Sequence, residues 1–358
     1  MKSVPFLLDL HRRLNLTKPR FEKLSQFFEG DWQKAAQATI KDWQKAGVDG
    51  PGIEKFFGGK SSRSPAEELA LLQASGARLV VLGDQDYPDL WHNIAQAPAL
   101  FFYKGNGDNL NTKSVAVVGS RKMTDYGHRI MQQVLSPVFT KGITVVSGLA
   151  YGVDAAAHQL AIASHAPAVA VLGNGIDQIY PQRNTVLAKN ILESGGTLVS
   201  EYLPQTEARP EYFPQRNRLV AGLSDATVVV EGALKSGSLI TARLANDFGR
   251  SVWAVPGDIF RVNSAGCNQL IFQGEAAALT SAEFLLESLN LEKAIPLHKI
   301  DLTSDELVLV KKLRQKNTWT LDDFMAQFSW STPEISTHLT LLELKGVLKV
   351  SGDKVYLC

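Results

Sequence analysis

Six basic side chains, Arg121, Lys122, Arg183, Arg216, Arg218 and Lys235, fall in short segments rich in glycine, serine and asparagine. Those segments read Gly119-Ser120-Arg121-Lys122, then Ser147-Gly148 with Gly152 and Asp154, then Gly173-Asn174-Gly175 followed by Tyr180-Pro181-Gln182-Arg183-Asn184. They continue with Phe213-Pro214-Gln215-Arg216-Asn217-Arg218 and Lys235-Ser236-Gly237-Ser238. Glycine there lets backbone N–H groups point outward and lets a ligand come close. Ser236-Gly237-Ser238 opens a helix, whose free N–H groups and positive dipole end suit an anion. The chemistry predicted is a grip on phosphate groups.

No cutting group accompanies that grip, and no catalytic residue, metal or cofactor is expected. Gly119 lacks the second and third glycines of a dinucleotide fingerprint, and Gly173-Asn174-Gly175 lacks the third. A phosphate-binding P-loop and a nucleophile elbow are both absent from the sequence. The seven histidines are scattered, and the two cysteines, Cys267 and Cys358, stand far apart. Plainer roles compete at single positions. A glycine after a strand also serves a turn. Arg216 and Arg218, two apart, cannot share one helical face, so one is expected to clamp structure, on Glu201 or Glu231. His158, four residues after Asp154, reads as structural.

These segments follow strand-like runs at Leu79 to Leu82, Ser114 to Val118, Thr144 to Val146, Ala168 to Leu172, Thr197 to Val199, Thr227 to Val230 and Val252 to Val255. The runs are short, β-branched and apolar on both faces, as in a buried parallel sheet. Helical stretches at Tyr126 to Lys141, Asp154 to Ala163, Asn184 to Glu193 and Leu239 to Phe248 alternate with them. The expected fold is α/β, an extended Rossmann-like, doubly wound and mostly parallel sheet over 61–285, with ligands outside the carboxyl ends of its strands. Residues 1–60 read as a helical helix-hairpin-helix or SAM-like domain, with the turn Ala46 to Ile53 between short helices, and 286–300 as a linker. Residues 301–358 have the order helix, helix, helix, hairpin of a winged helix. There Thr332 is expected as N-cap with Pro333 at N1, Gly346 as the terminating glycine and Ser351-Gly352-Asp353 as the hairpin turn.

The chain has 358 residues, 37 basic against 36 acidic, a formal +1. That balance excludes a protein that coats duplex DNA by bulk charge, but not a local basic cleft. Neither a signal peptide nor a run long enough to span a membrane is visible, and the few cysteines fit a reducing compartment, so a cytoplasmic location is expected.

The motifs together resemble the DNA-processing protein A (DprA, or Smf) family. They are Val117-Val118-Gly119-Ser120-Arg121, Ser147 to Asp154 with Ala157-His158, Leu172 to Gly175 with Asp177, Tyr180-Pro181 and Asn184, and Ser200-Glu201. Phe213-Pro214 with Arg216-Asn217-Arg218 and Ala221 to Ser224 follow, then Glu231 with Ser236 to Ser238 and Thr241-Ala242, Val255 to Gly257, and Gly266-Cys267-Asn268. The match is strong over about 115–275. The resemblance implies a non-enzymatic homodimer that binds single-stranded DNA, protects incoming DNA in natural transformation and helps load the recombinase RecA. Arg121 matches the family's main phosphate-binding arginine, and Pro181 to Asn184 a second DNA-contacting loop. Gln182 stands where many members carry lysine, which passes that contact to Arg183.

Flexible strands suit a loop-lined pocket that leaves bases free to stack, and Tyr151, Tyr180 and Phe213 lie beside the basic loops. Two other classes compete. One is a nucleotide phosphohydrolase or glycosidase of the lysine-decarboxylase-like fold, but Glu231 to Ser238 lacks that group's Pro-Gly-Gly-x-Gly-Thr loop. The other is an interaction scaffold. The third helix of the winged unit carries Glu334 and Glu343 and no basic residue before Lys345, so weak or no duplex contact is expected from it. Leu270-Ile271-Phe272 puts three apolar residues on one short helix, and Leu270 and Ile271 are the expected dimer contact.

Overall fold

A computed structural model describes residues 3–14, 16–48, 51–58, 63–94, 96–291, 303–313, 319–328, 330–344, 347–351 and 354–357. The chain divides into two compact units, Met1–Glu292 and Lys293–Cys358.

The strands of the first unit are β1 (Arg78–Val81), β2 (Leu100–Gly105), β3 (Ser114–Val118), β4 (Thr144–Ser147), β5 (Ala168–Leu172), β6 (Thr197–Ser200), β7 (Ala226–Val229), β8 (Ser251–Ala254) and β9 (Ala277–Ala278). They form one nine-stranded sheet in the order β1-β2-β6-β5-β4-β3-β7-β8-β9. From β6 through β9 all pairings are parallel, while β1–β2 and β2–β6 are antiparallel. Because side chains alternate across a strand, Val115 and Val117 enter the core on one face, and Ala116 and Val118 the core on the other. Both faces are covered, which is why these strands are apolar throughout. The chain runs outward from β3 to β6, then returns beside β3 as β7, so the carboxyl ends of β3 and β7 bound a topological switch point.

The leading segment folds as helices Val4–Leu14, Lys18–Phe27, Trp32–Gln37, Ile40–Lys45 and Pro51–Gly58, with a further helix Pro65–Ser75 before β1. Two starts are fixed by reciprocal capping, Thr39 with Asp42 and Ser64 with Glu67. Leu8, Leu10 and Trp43 join the same apolar cluster as Val115 and Val145, so this helical segment shares its core with the sheet. His11 Nε2 meets the Glu201 carbonyl at 2.9 Å across that junction. Asp49 and Gly50 of the expected interhelical turn lie outside the described residues, as does the linker segment 292–300. Residues 282–288 are helical.

The second unit holds helices Ser304–Leu313, Leu321–Gln327 and Thr332–Leu344 with β10 (Trp319–Thr320), β11 (Leu348–Ser351) and β12 (Lys354–Leu357). The strands are antiparallel in the order β10-β12-β11, the expected winged-helix sequence of elements. Leu309, Phe324, Ile335, Leu342 and Val355 fill a core of its own. The third helix starts one residue earlier than expected. Ser331, not Thr332, holds the cap position, its N–H and hydroxyl donating to the Glu334 carboxylate at 2.8 and 2.7 Å. Gly346, Gly352 and Asp353 lie outside the described residues.

Candidate nucleic-acid interface

At the switch point the loops after β3, β4 and β7 meet the helix Tyr212–Gly222 around a cleft of about 360 Å³. Gly119, Arg121, Phe213, Asn217 and Ser236 to Ser238 line it. Arg121 is exposed, its guanidinium carbon 5.9 Å from the Phe213 ring centroid, and Phe213 lies 5.3 Å from Tyr180. Opposite, the helix Gly237–Asp247 presents its N-terminus. Ser236 caps it, accepting from the Ser238 N–H at 3.3 Å, and Asn217 Nδ2 donates to the Gly237 carbonyl at 3.3 Å. An exposed cation, a helix N-terminus and an aromatic face thus converge, which suits a phosphate with an attached unpaired base.

The expected cations separate into two sets. Arg121, Lys122, Arg183 and Lys235 are exposed. Arg216 is 4% exposed and turned inward, donating to the Gly148 carbonyl at 2.6 Å and to the Val171 carbonyl. It forms part of the cleft floor and ties the β4 loop to the end of β5. Arg218 pairs with Glu201 at 2.5 Å, both nearly buried, so its charge is neutralised away from the rim. Lys122 follows a tight turn in which its N–H and carbonyl both meet Ser120 Oγ at 3.1 Å.

Most of the predicted glycine, serine and asparagine positions hold loops to one another. Ser147 Oγ donates to the Val117 carbonyl at 2.7 Å. The N–H groups of Gly148 and Ala150 donate to Asp154 at 3.2 and 3.3 Å. Asn184 Nδ2 donates to the Leu149 carbonyl at 2.8 Å, and Asn174 Nδ2 to the Gln178 carbonyl at 2.8 Å. A Cβ at Gly173 would touch the Phe213 ring at 2.9 Å, one at Gly175 the Leu203 carbonyl at 2.7 Å, and one at Gly119 the Val153 side chain at 2.6 Å. Gly237 is different: nothing lies within 4 Å of its Cβ position, so the helix N-terminus stays open.

Two titratable groups near the floor are held uncharged or engaged. His158 is fully buried, neither ring nitrogen has a hydrogen-bond partner among the described residues, and burial with the nearby Arg216 charge pushes its pKa down to about 3. Glu231 is buried with its carboxylate accepting from the Thr124 N–H at 2.9 Å and from the Thr124 hydroxyl. Of the expected dimer contacts, Leu270 is fully buried in this chain's own core and Ile271 half-buried, while Phe272 is 91% exposed. Sequence reading passed over Arg209, exposed beside Tyr212 just ahead of Phe213; its signal was the Arg209-Pro210 pair bordering the same loop.

The model of the family described as DNA recombination-mediator protein A matches residues 78–290. Protein Smf of Escherichia coli is 40% identical over 228 residues, which cover 64% of this chain and 61% of that protein. The chain thus spans about three fifths of the length of the Smf proteins of E. coli and Synechocystis. The X-ray structure of DNA processing protein A from Streptococcus pneumoniae superposes with a TM-score of 0.67 at 32% identity, covering 79% of this chain and 97% of that one. DNA processing protein A from Helicobacter pylori, solved for its single-stranded DNA binding mode, gives 0.54 at 27% identity, covering 60% of this chain and 97% of that one. On the extent of the family match and these likenesses, the chain belongs to the DNA recombination-mediator protein A family.

Proposed function

We propose that this protein binds single-stranded DNA in the Arg121 cleft and acts without enzymatic chemistry as a recombination mediator. In this reading it protects a strand taken up in natural transformation and loads RecA onto it, as a homodimer in the cytoplasm. The observation that carries the reading is the convergence of Arg121, Phe213 and the N-terminus of helix Gly237–Asp247 on one cleft. Gly119 and Ser120 position Arg121, and Lys122, Arg183 and Lys235 are the further exposed cations for phosphates along the strand. The DNA-binding relative from H. pylori supports it. A rigid duplex cannot thread its backbone into a loop-walled cleft of this size, whereas a single strand bends and leaves its bases free to stack.

The test is a salt-dependent fluorescence titration of the full chain with labelled oligothymidylate against duplex of equal length. Tight, salt-sensitive binding of the single strand over the duplex is expected. Arg121→Ala should weaken it and reduce the slope of log affinity against log salt by about 0.7 per lost phosphate contact. An unchanged affinity in that variant would remove the cleft from the reading. RecA loading is tested separately, by whether the protein speeds RecA assembly on strands already coated by single-strand binding protein. The competing enzymatic reading has less support, because Glu231 to Ser238 lacks the Pro-Gly-Gly-x-Gly-Thr loop and Glu231 itself is buried. Release of base or phosphate from nucleoside monophosphates would revive it.

A further inference from the structure

A second cleft, of about 380 Å³, lies beyond the segment that walls the Arg121 cleft. Along 209–214 the side chains part: Pro210, Phe213 and Pro214 line the first cleft, and Arg209 and Tyr212 the second. The leading helix Val4–Leu14 supplies His11 and Arg12 to the second cleft. Tyr212 stacks on Tyr202 with ring centroids 4.4 Å apart and interplanar angle 26°, and the Arg209 guanidinium carbon stands 5.9 Å from the Tyr212 centroid. Arg209 is exposed and forms no ion pair among the described residues. Arg12 is neutralised by the buried Glu68, and Glu207 faces the same cleft, so its one uncompensated cation is set against one exposed carboxylate.

We propose that this second cleft is an extension subsite for the same strand. The strand leaves the Arg121 cleft over Pro210, a phosphate meets Arg209, and the next base stacks on Tyr212 against the N-terminal helix. The proposal rests on the single-strand reading of the Arg121 cleft. Continuity supports the path, since side chains of one six-residue segment line both clefts. Chemistry supports it as well: a cation beside a prestacked aromatic pair is the unit by which single strands are held without sequence preference. The route on the opposite side is worse. There a cleft of about 850 Å³ sets exposed Asp125 and Asp258 against Arg129 and Arg261, and its one aromatic, Tyr126, has no stacked ring partner among the described residues. The helical segment thereby becomes part of the DNA site.

The test compares oligothymidylates of about 4 and about 12 nucleotides, lengths that fill one cleft or run past it, by fluorescence anisotropy on the full chain. Wild type should bind the longer strand more tightly. Tyr212→Ala should cost about tenfold on the longer strand and leave the shorter unchanged, as loss of one stacked base predicts. Arg209→Ala should lower the salt slope of the longer strand alone by about 0.7. As a check independent of folding, photo-crosslinking from 5-iodouracil in the longer strand should mark Tyr212 or residues 4–14 in wild type. An unaltered salt slope in Arg209→Ala with no such crosslink overturns the subsite. Equal loss on both lengths in Arg209→Ala overturns it too, because it places Arg209 in the first cleft. Failure of wild type to bind either length, or binding indifferent to Arg121→Ala, instead removes the single-strand reading beneath it.

Discussion

A methyl group added at Gly148 would meet the Arg216 guanidinium at 2.2 Å, and one at Gly152 the Ser120 carbonyl at 2.3 Å. Gly152 also has φ +73, a left-handed conformation that resists a side chain. The glycines near the cleft were legible in sequence as loop positions, but their partners were not, because those partners come from other strands. Gly152→Ala should therefore cost about 1–3 kcal/mol in urea unfolding and push the Arg121 loop off its seat, weakening strand binding. A variant with wild-type stability and affinity would refute this packing role. The inward turn of Arg216 was hidden for the same reason: sequence spacing says two arginines diverge, not which one finds carbonyls. His158 adds a pH dependence. Its pKa falls from 6.5 unfolded to about 3 folded, and that of His11 is lowered by burial as well. The unfolded chain thus binds more protons than the folded one below about pH 6.5, so stability is full above that pH and declines as pH falls toward 3. Melting temperatures should drop between pH 7 and 5, and His158→Leu should flatten the drop. The same slope in both proteins would assign it elsewhere.

The central strands were legible because β-branched runs buried on two faces have few other readings. The register of β3 with β7 was not, since it joins Val115 to Ala226 across more than a hundred residues. β2 went unread as a strand, although its buried Leu100-Phe101-Phe102-Tyr103 run links β1 to β6 antiparallel. β9, two alanines long, carries no strand signal at all and exists by pairing with β8. The helix Tyr212–Gly222 is anchored from its own face by Arg218 on Glu201, just past β6, whose backbone carbonyl also holds His11. Breaking that pair strands a buried carboxylate. Arg218→Met should lose about 3–5 kcal/mol, and adding Glu201→Gln to it should recover much of that; chemical denaturation of wild type, Arg218→Met, Glu201→Gln and the double variant measures the coupling. A loss below about 1 kcal/mol would mean the pair is no better than a surface one.

For the molecule as a whole, the charge balance is informative only once charges are placed. Between Lys113 and Glu283 there are 14 basic and 13 acidic residues, yet four of the basic ones stand exposed on the rim loops while Arg216 and Arg218 are spent inside. The C-terminal unit shows the reverse pattern. The exposed side of its third helix offers Glu334, Ser336, Thr337, Thr340 and Leu341, without a cation. Residues 297–358 expressed alone should show no tight binding to duplex in a fluorescence assay; submicromolar affinity at physiological salt would contradict it.

Cys267 lies fully buried on helix Val262–Phe272, its thiol donating to the Val229 carbonyl at 3.6 Å and its pKa pushed up to about 12 by burial. Reaction with an alkylating reagent requires thiolate, so the native thiol is silent at neutral pH. The chain therefore carries its own opening clock. In a Cys358→Ser background, the alkylation rate of Cys267 times how often this helix lifts from β7. Strand binding at the loops after β3 and β7 should slow that clock without touching the cysteine.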